Sequence, residues 1–105
     1  MTMTILRLLT YTATPEEARA IAVGVLEARL VACANIGPVF ESHYVGQGAR
    51  EVSAETQLWL KTRVDLREAV MAEIARLHPY EVPLIAADEV MVNADYRDWV
   101  IAQTS

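Results

Sequence analysis

The sequence predicts an α+β domain in which an antiparallel sheet of four strands carries two helices on one face. Segments rich in β-branched and apolar residues alternate with segments of helical periodicity in the order β-α-β-β-α-β, and a short helix closes the chain. A glycine-rich turn joins the second strand to the third, which is typical of an antiparallel hairpin. The chain has 105 residues, so we expect 1–105 to form a single ferredoxin-like βαββαβ sandwich.

The first strand and the first helix have clear local signals. Residues 4–12 are apolar on both faces, which predicts a central, covered strand. The first helix is predicted over 15–31, because Thr14 suits the N-cap, Pro15 suits the first helical position and Glu17 completes a capping box with Thr14. Apolar residues then recur at helical spacing: Ala18, Ile21, Ala22, Val25, Leu26 and Leu30.

The second and third strands are long and form the hairpin. The second is predicted over 32–46 with a bulge or bend at Gly37-Pro38, and the turn falls at 45–48. The third is predicted over 50–62. It has a two-faced pattern in which Gln57, Trp59 and Lys61 alternate with Leu58, Leu60 and Thr62.

The rest of the chain contains the second helix, the fourth strand and the terminal helix. The second helix is predicted over 65–77, with Asp65 and Glu68 as a capping pair and Pro79 preventing continuation. The fourth strand is predicted over 80–92. Asn93 is expected to cap the terminal helix, which holds Tyr96, Trp99 and Val100.

The composition excludes several classes of protein. The net charge of −5 argues against nucleic-acid and membrane partners. The single cysteine excludes an internal disulfide framework and a cysteine-based zinc module. No apolar run reaches the ~20 residues of a membrane span, and residues 1–9 do not resemble a signal peptide. We therefore expect a cytoplasmic protein.

Lys61 is the only lysine beside eight arginines. It is interpreted as an ion-pair partner of Glu55 or of a neighbouring chain, as part of an anion site, or as an activated amine. Common hydrolase, phosphate-loop and dinucleotide motifs are absent, so we expect neither enzymatic activity nor an organic cofactor. The alternative is an acid–base site formed on assembly. Its residues would be Glu55, Lys61, His78 and Tyr80.

The side chains best suited to a transition metal are Cys33, His43 and His78. No two of them have the spacing of a local metal motif, so a site would have to be assembled from distant segments or from different subunits. The alternative for each is structural. Cys33 would be a small buried residue, His43 a strand residue in solvent or at an interface, and His78 a helix-terminal residue.

Several segments have the residues and spacing of one known family. These segments are Leu30-Val31-Ala32-Cys33-Ala34-Asn35-Ile36, Ser42-His43-Tyr44, Gly48, Glu55 ahead of Leu60-Lys61-Thr62, His78-Pro79-Tyr80-Glu81-Val82-Pro83, and Tyr96 with Trp99. Together they resemble the CutA family of divalent-cation tolerance proteins. They cover nearly the whole chain with their spacing intact. The resemblance implies one CutA-like domain that binds a metal ion such as Cu(II) or another divalent cation and takes part in the response to metal ions.

The resemblance also implies a homotrimer whose long strands pair across subunits. This agrees with the sequence, since a sheet with helices on one side leaves its other face, including Phe40 and Trp59, to be covered. A cleft between subunits is implied, with His78 as the metal ligand. The other residues carried over to this cleft are Cys33, Asn35, Tyr44, Glu55, Lys61, Tyr80, Tyr96 and Trp99.

The sequence departs from the family pattern at several positions. Gly46 stands where relatives usually have a tryptophan, and Leu84 where many have a glutamate. Some bacterial relatives carry a cysteine and two histidines that are assigned to copper. The corresponding positions here are Tyr11, Leu77 and His78, so one of the three ligands is kept.

An alternative function is a trimeric signalling or scaffold protein similar to the PII proteins, which have a similar fold. Such a protein would bind a small organic anion in the cleft between subunits. Lys61 and nearby arginines would hold the anion, and Tyr44 and Trp99 would pack against it.

Overall fold

A computed structural model describes residues 3–105 and confirms the predicted fold class. Met1 and Thr2, the first positions of the segment considered as a leader, lie outside the described residues. The strands are β1 (Thr4–Thr12), β2 (Cys33–Gly46), β3 (Ala49–Thr62) and β4 (Ala86–Met91). The helices are α1 (Pro15–Glu27), α2 (Arg67–Leu77) and α3 (Ala94–Gln103). The sheet has the order β2-β3-β1-β4 with antiparallel neighbours.

The apolar core lies between the sheet and the helices α1 and α2. Leu6 and Leu8 of β1 and Leu58 and Leu60 of β3 are all buried, because alternate strand residues point to the same face. The helices complete this cluster with the apolar side chains Ala18, Ile21, Ala22, Val25, Val70 and Ile74. The helical face of the two central strands, β1 and β3, is therefore covered around these leucines.

The opposite face, which we call the second face, carries Arg7, Leu9 and Tyr11 from β1 and Gln57, Trp59 and Lys61 from β3. All six residues are only partly buried. Helix α3 contacts β1 and β3. We predicted that β1 is covered on both faces. Within one chain, this covering is complete only on the helical face.

The hairpin of β2 and β3 has the predicted turn and bulge. Gly46 pairs with Ala49, so Gln47 and Gly48 form a two-residue turn in which both have positive φ, 50° and 83°. This is the geometry that matches the twist of the flanking strands. The register shifts between Ile36 and Val39, so the bulge at Gly37-Pro38 is confirmed.

Helix α1 ends at Glu27, four residues before the predicted end. Arg29 adopts a left-handed conformation with φ of 59°. Its N–H donates to the carbonyl of Leu26, and the N–H of Leu30 donates to that of Val25. These two bonds form a Schellman motif, which ends the helix without the usual glycine.

The predicted start of the fourth strand at residue 80 was wrong, because β4 begins at Ala86. Residues 80–85 are irregular and pair with no strand. Pro83 lies within this segment and has no N–H to contribute to a sheet. The segment follows α2 and forms one wall of the pocket described below.

The predicted helix caps had different outcomes. Thr14 Oγ1 accepts a 3.2 Å bond from the N–H of Glu17, and Glu17 accepts from the N–H of Ala13 at 2.9 Å. The capping pair of Asp65 and Glu68 was wrong, since α2 is preceded by a 3-10 turn, Val64–Leu66, and neither start has a side-chain cap. Asn93 occupies the N-cap position of α3, also without a side-chain bond.

Candidate functional site

The predicted cleft residues fall into two groups within one chain. One group surrounds Glu55 and the other surrounds Lys61, both on β3. They are six positions apart along the strand, a distance of roughly 20 Å at about 3.3 Å per residue. The structure therefore brings the predicted residues together in two places rather than one.

The first group forms an acidic pocket of about 490 Å³ beside the bulged end of the hairpin. Its walls come from β1, β2, β3 and the irregular segment 80–85. The lining residues used below are Tyr11, Ser42, Tyr44, Glu55, Tyr80 and Glu81. The other lining residues are Ser53, Val82 and Leu84, so the walls contain two carboxylates and no basic side chain.

Glu55 and Tyr80 form the central contact of the acidic pocket. The Tyr80 hydroxyl donates to Glu55 Oε2 at 2.7 Å, and Glu55 is only 8% exposed. Burial raises the pKa of Tyr80 well above its usual range, and the bond to Glu55 and the charge of that carboxylate raise it further. The phenol is thereby kept neutral as a hydrogen-bond donor to Glu55.

This contact gives an expected alkaline titration. The raised pKa in the folded state means that the contribution of Tyr80 to stability is complete below the unfolded pKa of about 10. It is lost as the pH rises above that value toward the folded pKa. Glu55→Gln is expected to lower the pH at which Tyr80 ionises, as measured by the near-ultraviolet absorbance of tyrosinate. Tyr80→Phe identifies the Tyr80 component.

The matched control is Glu81→Gln, which removes the other pocket carboxylate without removing the acceptor of the Tyr80 bond. We expect a smaller shift in this variant. An equal shift in both variants would contradict a specific role for the Glu55–Tyr80 bond.

His78 links the irregular segment to β1. Its Nε2 donates to the carbonyl of Tyr11 at 2.8 Å, and its Nδ1 accepts from the N–H of Tyr80 at 3.1 Å. The ring is 7% exposed and lies 4.8 Å from the Tyr80 ring, centroid to centroid. Both nitrogens are thus engaged by the backbone, and a metal would have to displace one of these bonds. The metal-ligand role of His78 stays a prediction of the sequence resemblance, and the bonds at both nitrogens favour a positioning role for the ring instead.

The second group, which we call the cysteine cluster, consists of Cys33, Asn35, Lys61, Tyr96 and Trp99. The Cys33 thiol donates to Asn35 Oδ1 at 3.3 Å, and Lys61 Nζ donates to the same oxygen at 2.9 Å. Burial raises the pKa of Tyr96, and the neighbouring Cys33 raises it further. Tyr96 and Trp99 both lie on α3, and their rings are 5.6 Å apart, so α3 contributes the aromatic part of the cluster.

Several sequence interpretations are corrected or refined by these contacts. The ion pair of Lys61 with Glu55 is not formed within the chain, because each binds a different partner. Cys33 is half-buried rather than fully buried. His43 is exposed and bonds to Glu41 at 2.6 Å. Of the alternative acid–base set, the structure brings together Glu55, Tyr80 and the nearby His78, and leaves out Lys61.

The sequence motifs did not identify Ser42, Ser53 and Glu81 as pocket residues. Ser42 and Glu81 lie inside segments that matched the CutA pattern, so those motifs could have indicated them. Ser53 had no such signal and is placed by its pairing with Ser42 across the hairpin.

Two features that bear on function are absent from the described part of the chain. Among residues 3–105, no group of three or more His, Cys, Asp and Glu side chains is arranged to hold a metal ion. Within the same residues, no helix has both the length and the apolar character needed to cross a lipid bilayer. Because no such metal-binding group is present in residues 3–105, a complete metal site would need donors from outside the described chain or donors other than His, Cys, Asp and Glu side chains.

The fold and site define a ferredoxin-like α+β protein with an acidic pocket beside the sheet. The sequence profile described as "CutA1 divalent ion tolerance protein" matches residues 6–103. The divalent-cation tolerance protein CutA of Pyrococcus horikoshii is 39% identical over 100 residues, which cover 92% of this chain and 97% of the relative. The chain belongs to the CutA family of divalent-cation tolerance proteins.

Two more comparisons agree with this assignment. The CutA protein of Thermus thermophilus is 38% identical over 90 residues, covering 85% of this chain and 87% of the relative. The crystal structure of CutA1 from Ehrlichia chaffeensis superposes with a TM-score of 0.92 at 34% identity, covering 96% of this chain and 95% of that one. The similarity therefore extends over sequence and structure alike.

Proposed function

We propose that this protein acts in divalent-cation tolerance by binding a divalent cation, with Cu(II) as a candidate, in the acidic pocket of a homotrimer. Its role would be binding in the response to metal ions rather than catalysis. The observation that carries the proposal is the lining of the pocket, where Glu55 and Glu81 lie among hydroxyl groups without a basic side chain. Such a pocket attracts a cation and repels an anion.

The donor types support a cation but do not complete its coordination. Carboxylate and hydroxyl oxygens suit divalent ions, yet the pocket supplies only two carboxylates within one chain. A second copy packed against the second face would add donors at this edge of the sheet. Homotrimer formation is therefore part of the proposal, and it would also bring the cysteine cluster of one subunit toward the pocket of another.

The test is titration calorimetry of chelator-treated protein with Cu(II) and Zn(II). We expect saturable binding at a fixed ratio of metal to subunits. Glu55→Gln keeps the size of the side chain and an acceptor for Tyr80 but removes the charge. It is expected to weaken binding by about tenfold or more, since a lost charged ligand costs at least ~1.4 kcal/mol.

Glu73→Gln is the matched control, because Glu73 lies on α2 and bonds to Arg76 outside the pocket. This variant should bind the metal as the wild type does. Unsaturable binding in the wild type, or equal losses in both variants, would contradict a metal site at the acidic pocket.

A second candidate function is the PII-like alternative, in which a small organic anion binds at the cysteine cluster. The observation that favours it is a cleft of about 250 Å³ lined by Arg7, Asn35, Trp59 and Lys61. Arg7 is paired with Asp88, whereas Lys61 makes no ion pair among residues 3–105. Binding of a small carboxylate that is lost in Lys61→Gln but kept in Glu55→Gln would favour this function.

A further inference from the structure

A separate cavity of about 340 Å³ lies at the end of the sheet where β1 begins, β3 ends and α3 packs. Arg63 and Arg97 line it from different elements, the first at the end of β3 and the second on α3. Thr4 adds a hydroxyl group, and Ile5, Val64 and Ile101 supply apolar wall. The cavity shares no lining residue with the acidic pocket or with the cleft at Lys61.

The two arginines differ from the surface arginines of the same protein. The Nε atoms of Arg63 and Arg97 are buried, and neither has a hydrogen-bond partner among residues 3–105. By contrast, the exposed Arg7 and Arg76 each donate two bonds to one carboxylate. A buried donor without a partner costs free energy, and a guanidinium has five N–H groups to satisfy.

Nearby carboxylates do not satisfy these donors. Arg63 Nε lies 3.5 Å from Asp65 Oδ1, and Arg97 Nη1 lies 4.0 Å from Asp98 Oδ1. Both contacts are ion pairs without hydrogen-bond geometry, and both carboxylates are mostly exposed. Both guanidinium groups therefore keep an N–H without a partner among residues 3–105, and both side chains line the cavity.

We propose that Arg63 and Arg97 form a binding site for a small oxyanion, a carboxylate or a phosphate group. Two guanidiniums on one cavity match the paired oxygens of such groups. Asp65 and Glu89 also line the cavity, so its formal charge is balanced. Asp65 and Glu89 repel each added negative charge, so the cavity favours a small or singly charged anion over a polyanion such as nucleic acid.

The test is a nuclear magnetic resonance titration at constant ionic strength, with chloride as the exchanged ion. Inorganic phosphate and acetate are the two probes, and their comparison distinguishes phosphate from carboxylate recognition. We expect saturable shifts of the Arg63 and Arg97 Nε–H signals and of the Thr4 and Val64 amides. Arg63→Gln and Arg97→Gln should each weaken binding of the preferred probe by about tenfold.

Two further variants make the result decisive. Arg76→Gln removes an exposed arginine on α2 and should leave binding unchanged. Glu89→Gln should tighten binding, because it removes a negative charge from the cavity wall. The proposal is overturned by shifts that do not saturate or by equal losses in Arg76→Gln. Weaker binding in Glu89→Gln would also overturn it, since removing a negative charge from the wall should not weaken an anion held in the cavity.

Discussion

Replacing His78 with alanine is expected to lower the free energy of unfolding by about 2–4 kcal/mol, because two backbone groups lose their partner at once. The carbonyl of Tyr11 and the N–H of Tyr80 both bond to the imidazole, which is 7% exposed. Their loss should also release the irregular segment 80–85 from β1 and disturb the wall of the acidic pocket. Chemical denaturation measures the stability change.

Metal binding in His78→Ala would fall whether the ring positions Tyr80 or binds the metal itself. His78→Gln separates the two roles, because the glutamine amide can reach the Nε2 position and donate to the Tyr11 carbonyl. We expect this variant to recover part of the lost stability and to bind Cu(II) nearly as well as the wild type, as measured by calorimetry.

The control for this pair is His43→Gln, which changes an exposed histidine bonded only to Glu41 among the described residues. It should affect neither stability nor binding at the pocket. A stable His78→Gln protein that no longer binds Cu(II) would make the imidazole a ligand and would contradict the positioning role.

The sequence predicted the features that depend on neighbouring residues. Thr14 and Glu17 satisfy the first N–H groups of α1 within one turn, so their spacing was enough to locate its start. The two-residue turn at Gln47-Gly48 follows equally from local conformational preference. The alternation around Trp59 placed Leu58 and Leu60 in the core, where both are fully buried.

Features that depend on distant contacts were not predictable in the same way. The end of α1 rests on a left-handed Arg29, a position where glycine is the usual signal. The irregular segment 80–85 looks like a strand because it is apolar. Its actual conformation is fixed by His78, whose partner Tyr11 is 67 positions away in the chain.

The candidate site was predictable in its residue types but not in its geometry. The motifs indicated Glu55, Lys61, Tyr80 and Tyr96, yet a motif does not show that an extended strand holds Glu55 and Lys61 apart with different partners. The division into an acidic pocket and a cysteine cluster became visible only with the sheet register. In the proposed homotrimer, contacts between subunits would join the two groups.

The other large expected effect is a loss of assembly when the second face of the sheet is changed. Leu9 lies near its centre, opposite Trp59 on one side and Ala86 on the other. Arg7 covers the Trp59 ring at 4.8 Å, and Tyr11 packs against Phe40 at 4.7 Å. These partly buried aromatic groups form a surface of the kind that oligomers cover.

In the proposed homotrimer, Leu9→Glu would place three unpaired carboxylates in the covered face. Each would lose several kcal/mol of solvation, a cost that opposes assembly. We expect sedimentation analysis to give one third of the wild-type mass. Val23→Glu adds the same charge on the exposed side of α1, where Val23 is 45% exposed, and should leave the assembly intact.

Gln57→Glu is the control that separates loss of assembly from a folding defect. The residue lies on the second face and accepts a 2.8 Å bond from Trp59 Nε1, which a glutamate can also accept. The isosteric change adds charge without altering packing, so it should weaken the assembly while circular dichroism stays unchanged. A wild-type monomer, or a Leu9→Glu protein of full assembled mass, would contradict assembly of this chain through the second face.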